Sequence, residues 1–193
     1  MRLEILNSGH SLGTKALFAV IRTMSRQPVL DIIKLVKYRS EFYGKPMGAV
    51  TQEAMRGPSA WSVGDRELMA AVVAKANECT FCIRAHSAVA KAAYRDEAKV
   101  AAVLADIDTA EISDALRATL RMLWKLSRER TLTAEDMRAV LESGATRAQI
   151  EDALAVSFAF NTTARLAEAF GFDLPAPAAM DAGAKFLLAR GYR

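Results

Sequence analysis

Cysteine and histidine are scarce in this chain of 193 residues, with two of each. One cysteine pair cannot supply a disulfide framework, so stability has to come from a packed core. Five prolines and ten glycines are too few for a linker-like or collagen-like chain. Charge of one sign is not concentrated anywhere. The 26 basic and 22 acidic residues are interspersed, and no Lys/Arg block forms a nucleic-acid footprint, so no nucleic-acid partner is expected. No apolar run, Ala16 to Ile21 among them, is long enough to cross a bilayer, so no membrane partner is expected. The first residues include Arg2, Glu4, Asn7, Ser8, Gly9 and His10, which leaves no apolar signal core and makes a cytoplasmic location the expectation.

What is present is a helix-forming globular composition. The hydrophobic fraction is 52% and the charged fraction 25%, enough for one domain with a sizeable core. Alanine is abundant and no window alternates with period two, so the expected fold class is all-α. Apolar spacing predicts a helix over 13–26 and another from Pro28 to Lys37. The stretch 38–58, with Gly44, Pro46, Gly48, Gly57 and Pro58, reads as a short helix with loops. Ser62 and Asp65 resemble a capping box before a helix over 65–77, with Leu68, Met69, Val72 and Val73 on one face. Further helices are expected over 79–94, after Asp96, over 110–130 capped by Thr109, after Thr133, over 147–170 capped by Thr146, and over 178–190. The expected division is an N-terminal helical arm with loops over 1–60 and a helical domain over 61–193.

Both cysteines and one of the two histidines fall within nine residues, ECTFCIRAH, Glu78 to His86. On a helix, Cys82 and His86 share a face, and Cys79 lies one further turn back on the same stripe. Cys79 sits where the helix should start, and the free N–H groups and positive dipole end there favour a thiolate. A second cysteine three residues on can attack the first oxidation product and close a disulfide. The chemistry is that of a dithiol redox pair with an adjacent histidine. Two plainer readings stand beside it. Cysteine is often a small buried hydrophobe. A structural zinc ion needs four ligands, of which this segment offers three, with Glu67 or His10 to complete the set.

The spacing of Glu67, eleven residues, Cys79-Thr80-Phe81-Cys82, three residues and His86 resembles the signature of AhpD-like alkylhydroperoxidases, within the carboxymuconolactone decarboxylase superfamily. The match includes the preceding helix, RELMAAVVAKANECTFCIRAH, and the later stretch FAFNTTARLAEAFGFDLP is similar to the peroxidase-related branch. It covers about Trp61 to Pro175 and the first sixty residues poorly. The resemblance implies a compact all-α fold assembled as trimers or hexamers. It also implies reduction of a small hydroperoxide without haem, flavin or metal, and a thiol protein that returns the reducing equivalents. By the same resemblance Cys82 is the peroxidatic cysteine, Cys79 the resolving and more exposed one, and Glu67 with His86 a water-bridged proton relay. The family's namesake carries a histidine just before the second cysteine. Phe81 stands there in this chain, so the relay is shorter. Lactone decarboxylases generally lack the cysteine pair, which makes decarboxylation the weaker reading. A non-enzymatic redox sensor or binding module on the same fold is the other alternative.

Among the remaining residues, Glu78 reads as a surface charge, Trp61 and Trp124 as anchors, and Asn161 as a buried amide needing partners across a helix interface. His10 falls in the arm and receives no role. The apolar face over 15–37 is expected to meet a neighbouring subunit.

Overall fold

The computed structural model describes residues 1–192; Arg193, the end of the expected 61–193 domain, lies outside them. Among the described residues there are eleven α-helices, one π-helical turn and no strand, as the all-α reading requires. In chain order they are α1 (Ile5–Ser8), α2 (Leu12–Ser25), α3 (Asp31–Tyr38), the π turn (Ser40–Gly44), α4 (Lys45–Arg56), α5 (Val63–Ala76), α6 (Thr80–Tyr94), α7 (Glu97–Ala105), α8 (Asp114–Glu129), α9 (Ala134–Glu142), α10 (Arg147–Phe170) and α11 (Pro177–Arg190).

Side-chain caps fix most of these boundaries. Ser62 with Asp65, Thr133 with Asp136, and Thr146 with Gln149 each close a reciprocal capping box. The helix expected from Ala110 begins instead at Asp114, with Ser113 as its cap. The reason is local. Thr109 spends its hydroxyl on Asp106 at 3.1 Å, and the Arg117 guanidinium gathers the carbonyls of Ile107, Asp108, Ala110 and Ile112 into a turn. The stretch 38–58 is also more ordered than its glycines and prolines suggest. Pro46 lies in the first turn of α4, where a missing N–H leaves nothing unpaired. Gly44 ends the π turn hard against α3, and a Cβ there would run into the Val36 carbonyl.

Helix α5 is the axis of the molecule. Every residue from Arg66 to Ala74 is buried, rather than the single face its spacing predicted. A helix enclosed on all sides belongs to the centre of a domain. It packs on α6, α8 and α10, with α4 and α7 beside it. Leu68, Met69, Leu120 and Leu123 are fully buried, each worth about 1.5–3 kcal/mol in removed apolar surface. Trp61 anchors the same core and donates its indole N–H to the Gln149 carbonyl at 2.8 Å. Trp124 is half-buried, with the Lys75 ammonium over its ring.

Within residues 1–60, α4 is packed into this core through Ala54 and Met55. Helix α2 behaves differently. It buries only Phe18, while Leu12 is 85% exposed and Met24 81% exposed. His10, expected in a flexible arm, is buried instead. Its ring meets Phe18 and Tyr38 edge-on, and its Nε2–H donates to the Leu6 carbonyl at 2.8 Å.

Candidate active site

A tight turn joins the two helices that carry the chemistry. After α5, Asn77 closes the helix and Glu78 adopts a left-handed backbone at φ 59°, which reverses the chain into α6. The turn is braced from outside. Asn77 donates its amide to Asn161 of α10 at 2.8 Å, and Asn161 donates to Ser127 of α8 and Ser157 of α10. Asn161 thus fills the cross-helix role expected of it, and Glu78 is a surface charge paired with Arg128 at 2.6 Å.

The turn makes Cys79 the N-cap of α6 and puts Cys82 in the first turn. Both are free thiols. Expectation placed Cys79 as the more exposed of the two, but both are enclosed, at 0% and 1% exposure. They belong to a small apolar cluster distinct from the main core. Phe81 and Met180 are buried in it, and Ile32 and Phe172 pack on its edge. Phe81 and Phe172 meet edge-on with ring centroids 5.3 Å apart. The carboxylate of Asp31 holds this cover in place. It takes the Asp173 N–H at 2.8 Å and the Lys34 ammonium at 2.7 Å, tying α3 to the segment after α10.

The two thiols ionise unequally. The Cys79 thiol is held below the ordinary range because the Cys82 thiol donates to it, against the opposing effect of burial; the Cys82 backbone N–H works in the same direction as the thiol. The Cys82 thiol is pushed far up for the matching reasons: its proton is engaged by Cys79, and it is desolvated. Cys79, at the helix start, is therefore the first of the two to ionise. Nearby Glu168 opposes it. Tyr43, from the π turn, has its hydroxyl pushed upward by burial, with the Cys82 charge adding to the effect.

Glu67 and His86 meet one turn further along α6. The carboxylate is completely buried, and His86 Nδ1 lies 2.9 Å from Oε2 with no intervening group. Two further residues complete the cluster. Arg56 donates to Oε1 at 2.7 Å, and the Tyr192 hydroxyl reaches Oε1 at 2.9 Å and Oε2 at 3.1 Å. Phe160 backs the imidazole with its ring centroid 4.1 Å away. The Tyr192 hydroxyl is pushed well above the ordinary tyrosine range, first by burial and then by the Glu67 charge, so it remains a donor. Sequence reasoning identified Glu67, Cys79, Cys82 and His86 and missed Arg56 and Tyr192. No local spacing betrays either. Glu67 itself falls in the first turn of the predicted 65–77 helix, where the plain reading is a solvated carboxylate, so nothing there called for a buried cation. Neither proposed completion of a zinc set is available here: Glu67 is engaged by three side chains, and His10 lies in the arm between Phe18 and Tyr38.

Residues 43–125 match the carboxymuconolactone decarboxylase family profile, a stretch that contains Arg56, Glu67, both cysteines and His86. Over that stretch, less than half of the chain, the sequence is similar to the carboxymuconolactone decarboxylase family. No curated protein matches the sequence. Two solved structures share its fold. A peroxidase-related protein from Silicibacter sp. TM1040 superposes with a TM-score of 0.76 over 91% of each chain, at 22% identity. A peroxidase-related protein from Ralstonia eutropha JMP134, described as an alkylhydroperoxidase AhpD core, gives 0.74 over 91% of this chain and 92% of the other, at 18% identity. At these identities the likeness is one of fold. Tyr192 lies outside the profile match.

Proposed function

We propose that this protein is a thiol-dependent hydroperoxide reductase working through Cys79 and Cys82. The observation that carries this reading is the enclosed thiol pair at a helix start, with a carboxylate-bound histidine one turn on. The reaction is a two-electron exchange. Cys82, designated for attack by resemblance, passes its proton to His86, and its sulfur takes the terminal oxygen of the hydroperoxide. The O–O bond breaks, the alkoxide leaves, and His86 returns the proton to it, giving an alcohol and a Cys82 sulfenic acid. The Cys79 thiolate then attacks that sulfur. The S–O bond breaks, hydroxide leaves and takes a proton from solvent to become water, and a disulfide remains. A dithiol protein of lipoyl or thioredoxin type restores both thiols by exchange.

The exposed apolar surface of α2, with Leu12, Leu17, Val20 and Met24, supports assembly into trimers or hexamers. No helix among the described residues is long and apolar enough to cross a membrane. The sensor reading has one observation in its favour, the burial of both sulfurs, which suits slow stoichiometric oxidation.

Turnover separates the two. With excess dihydrolipoamide, the enzyme consumes many equivalents of cumene hydroperoxide per subunit, and Cys82→Ser consumes none. Consumption that stops at one equivalent under every dithiol tried overturns the reductase in favour of the sensor. Full turnover by Cys82→Ser overturns the cysteine mechanism.

A further inference from the structure

We propose that Tyr192 is a positioning residue for His86, acting through Glu67; the proposal rests on the reductase reading above. Three donor groups converge on the Glu67 carboxylate. Arg56 Nη2 holds Oε1 at 2.7 Å, His86 Nδ1 holds Oε2 at 2.9 Å, and the Tyr192 hydroxyl spans both oxygens at 2.9 and 3.1 Å. The terminal torsion of a glutamate is broad. With one donor on each oxygen the carboxylate can rock about it. A hydroxyl set across both oxygens fixes its plane, and with it the direction in which Oε2 faces the imidazole.

That direction decides the chemistry of His86. An acceptor held on Nδ1 places the ring proton there and leaves Nε2 as the free lone pair. In the proposed reaction this is the atom that takes and returns the thiol proton. The neighbours of Glu67 are all donors, so the carboxylate orients the base rather than carrying the proton itself. This narrows the expected Glu67–His86 relay to a single exchanging atom.

The local backbone is shaped for this delivery. Gly191 adopts φ 70° and ψ −152°, and a Cβ there would collide with the Gln52 carboxamide. The same carboxamide oxygen accepts the Tyr192 N–H at 2.7 Å. The chain thus turns inward at Gly191, and the partly buried Tyr192 ring packs on the core beneath Arg56, whose guanidinium lies 5.1 Å from the ring centroid.

The test is nitrogen-15 NMR of the full-length protein with labelled histidine. The chain holds two histidines, so two rings are read. In the wild type, His86 is the Nδ1–H tautomer. Tyr192→Phe keeps the ring and loses only the hydroxyl. The variant is expected to show His86 as a mixture of tautomers, and the rate of disulfide formation with cumene hydroperoxide is expected to fall about tenfold, the scale set by losing a partner that orients a histidine. Unchanged His86 nitrogen shifts in folded Tyr192→Phe overturn the proposal. Should that variant fail to fold, Gln52→Leu, which releases only the backbone anchor, is read by the same shifts and decides the question with the same sign. If the wild type does not react with hydroperoxide, the reductase reading fails, while the tautomer measurement still accepts or rejects the positioning role.

Discussion

Replacing Arg56 with methionine leaves the Glu67 carboxylate buried without its cation. Glu67 has 0% side-chain exposure and Arg56 only 11%, so solvent does little to screen the pair. Removing one partner of a buried pair costs about 3–5 kcal/mol, because an uncompensated charge stays behind. Tyr192 and His86 still donate to the carboxylate, which places the expected loss near the lower end, about 3 kcal/mol. Arg56 also donates to the carbonyls of Met55 and Leu187, tying the end of α4 to α11, and those bonds go with it. At about 2–4 °C per kcal/mol for a chain of this length, the melting temperature falls by about 6–12 °C. Arg56→Met combined with Glu67→Met removes both charges and both sets of partners together. The double variant should therefore lose less than the sum of the singles, by about 1–3 kcal/mol in a cycle measured by urea unfolding at pH 7. A loss under about 1 kcal/mol for Arg56→Met, or simple additivity, refutes the claim that this ion pair is one buried unit.

Asn161→Leu removes the acceptor of the Asn77 amide and the donor to Ser127 and Ser157, and should destabilise by about 2–3 kcal/mol in the same urea assay. Cys82→Ala deprives Cys79 of the donor that lowers its ionisation, so the midpoint of thiolate absorbance at 240 nm (an assay wavelength) should rise relative to the wild type; a midpoint that stays or falls contradicts the shared-proton pair. Phe172→Ala opens the cover over the sulfurs, and alkylation by iodoacetamide should accelerate at least several-fold with little change in melting temperature. The folded-state ionisation of Tyr94 is raised by burial and by Asp65, above the unfolded value near 10. Its contribution is therefore fully present below about pH 10 and lost as the unfolded chain ionises above it, so wild-type melting should fall between about pH 10 and 12 and Tyr94→Phe should fall less.

The caps made much of the fold legible. Thr146 with Gln149 and Gly171 bracket α10 because each satisfies end groups that nothing else reaches. Thr109 misled for the converse reason: Arg117, eight residues on, claims the carbonyls a helix there would have used. The enclosure of α5 was not visible, since four apolar positions on one face do not reveal that alanines on the other faces are covered by α8 and α10. At the site, the Cys79–Cys82–His86 stripe follows from helical spacing alone. The partner of Glu67 does not, because Arg56 and Tyr192 arrive from α4 and from beyond α11, and long-range contacts leave no periodic trace. Both thiols are buried by Ile32, Phe172 and Met180, which come from three separate segments and left no sign near the motif.

The most direct test of the account is the intact mass of the reduced, desalted protein before and after one equivalent of cumene hydroperoxide. The dithiol mechanism predicts rapid loss of two hydrogens in the wild type, and in Cys79→Ser the gain of one oxygen on Cys82 without that loss. An unchanged mass in the wild type would contradict it and return Cys79 and Cys82 to the role of small buried hydrophobes.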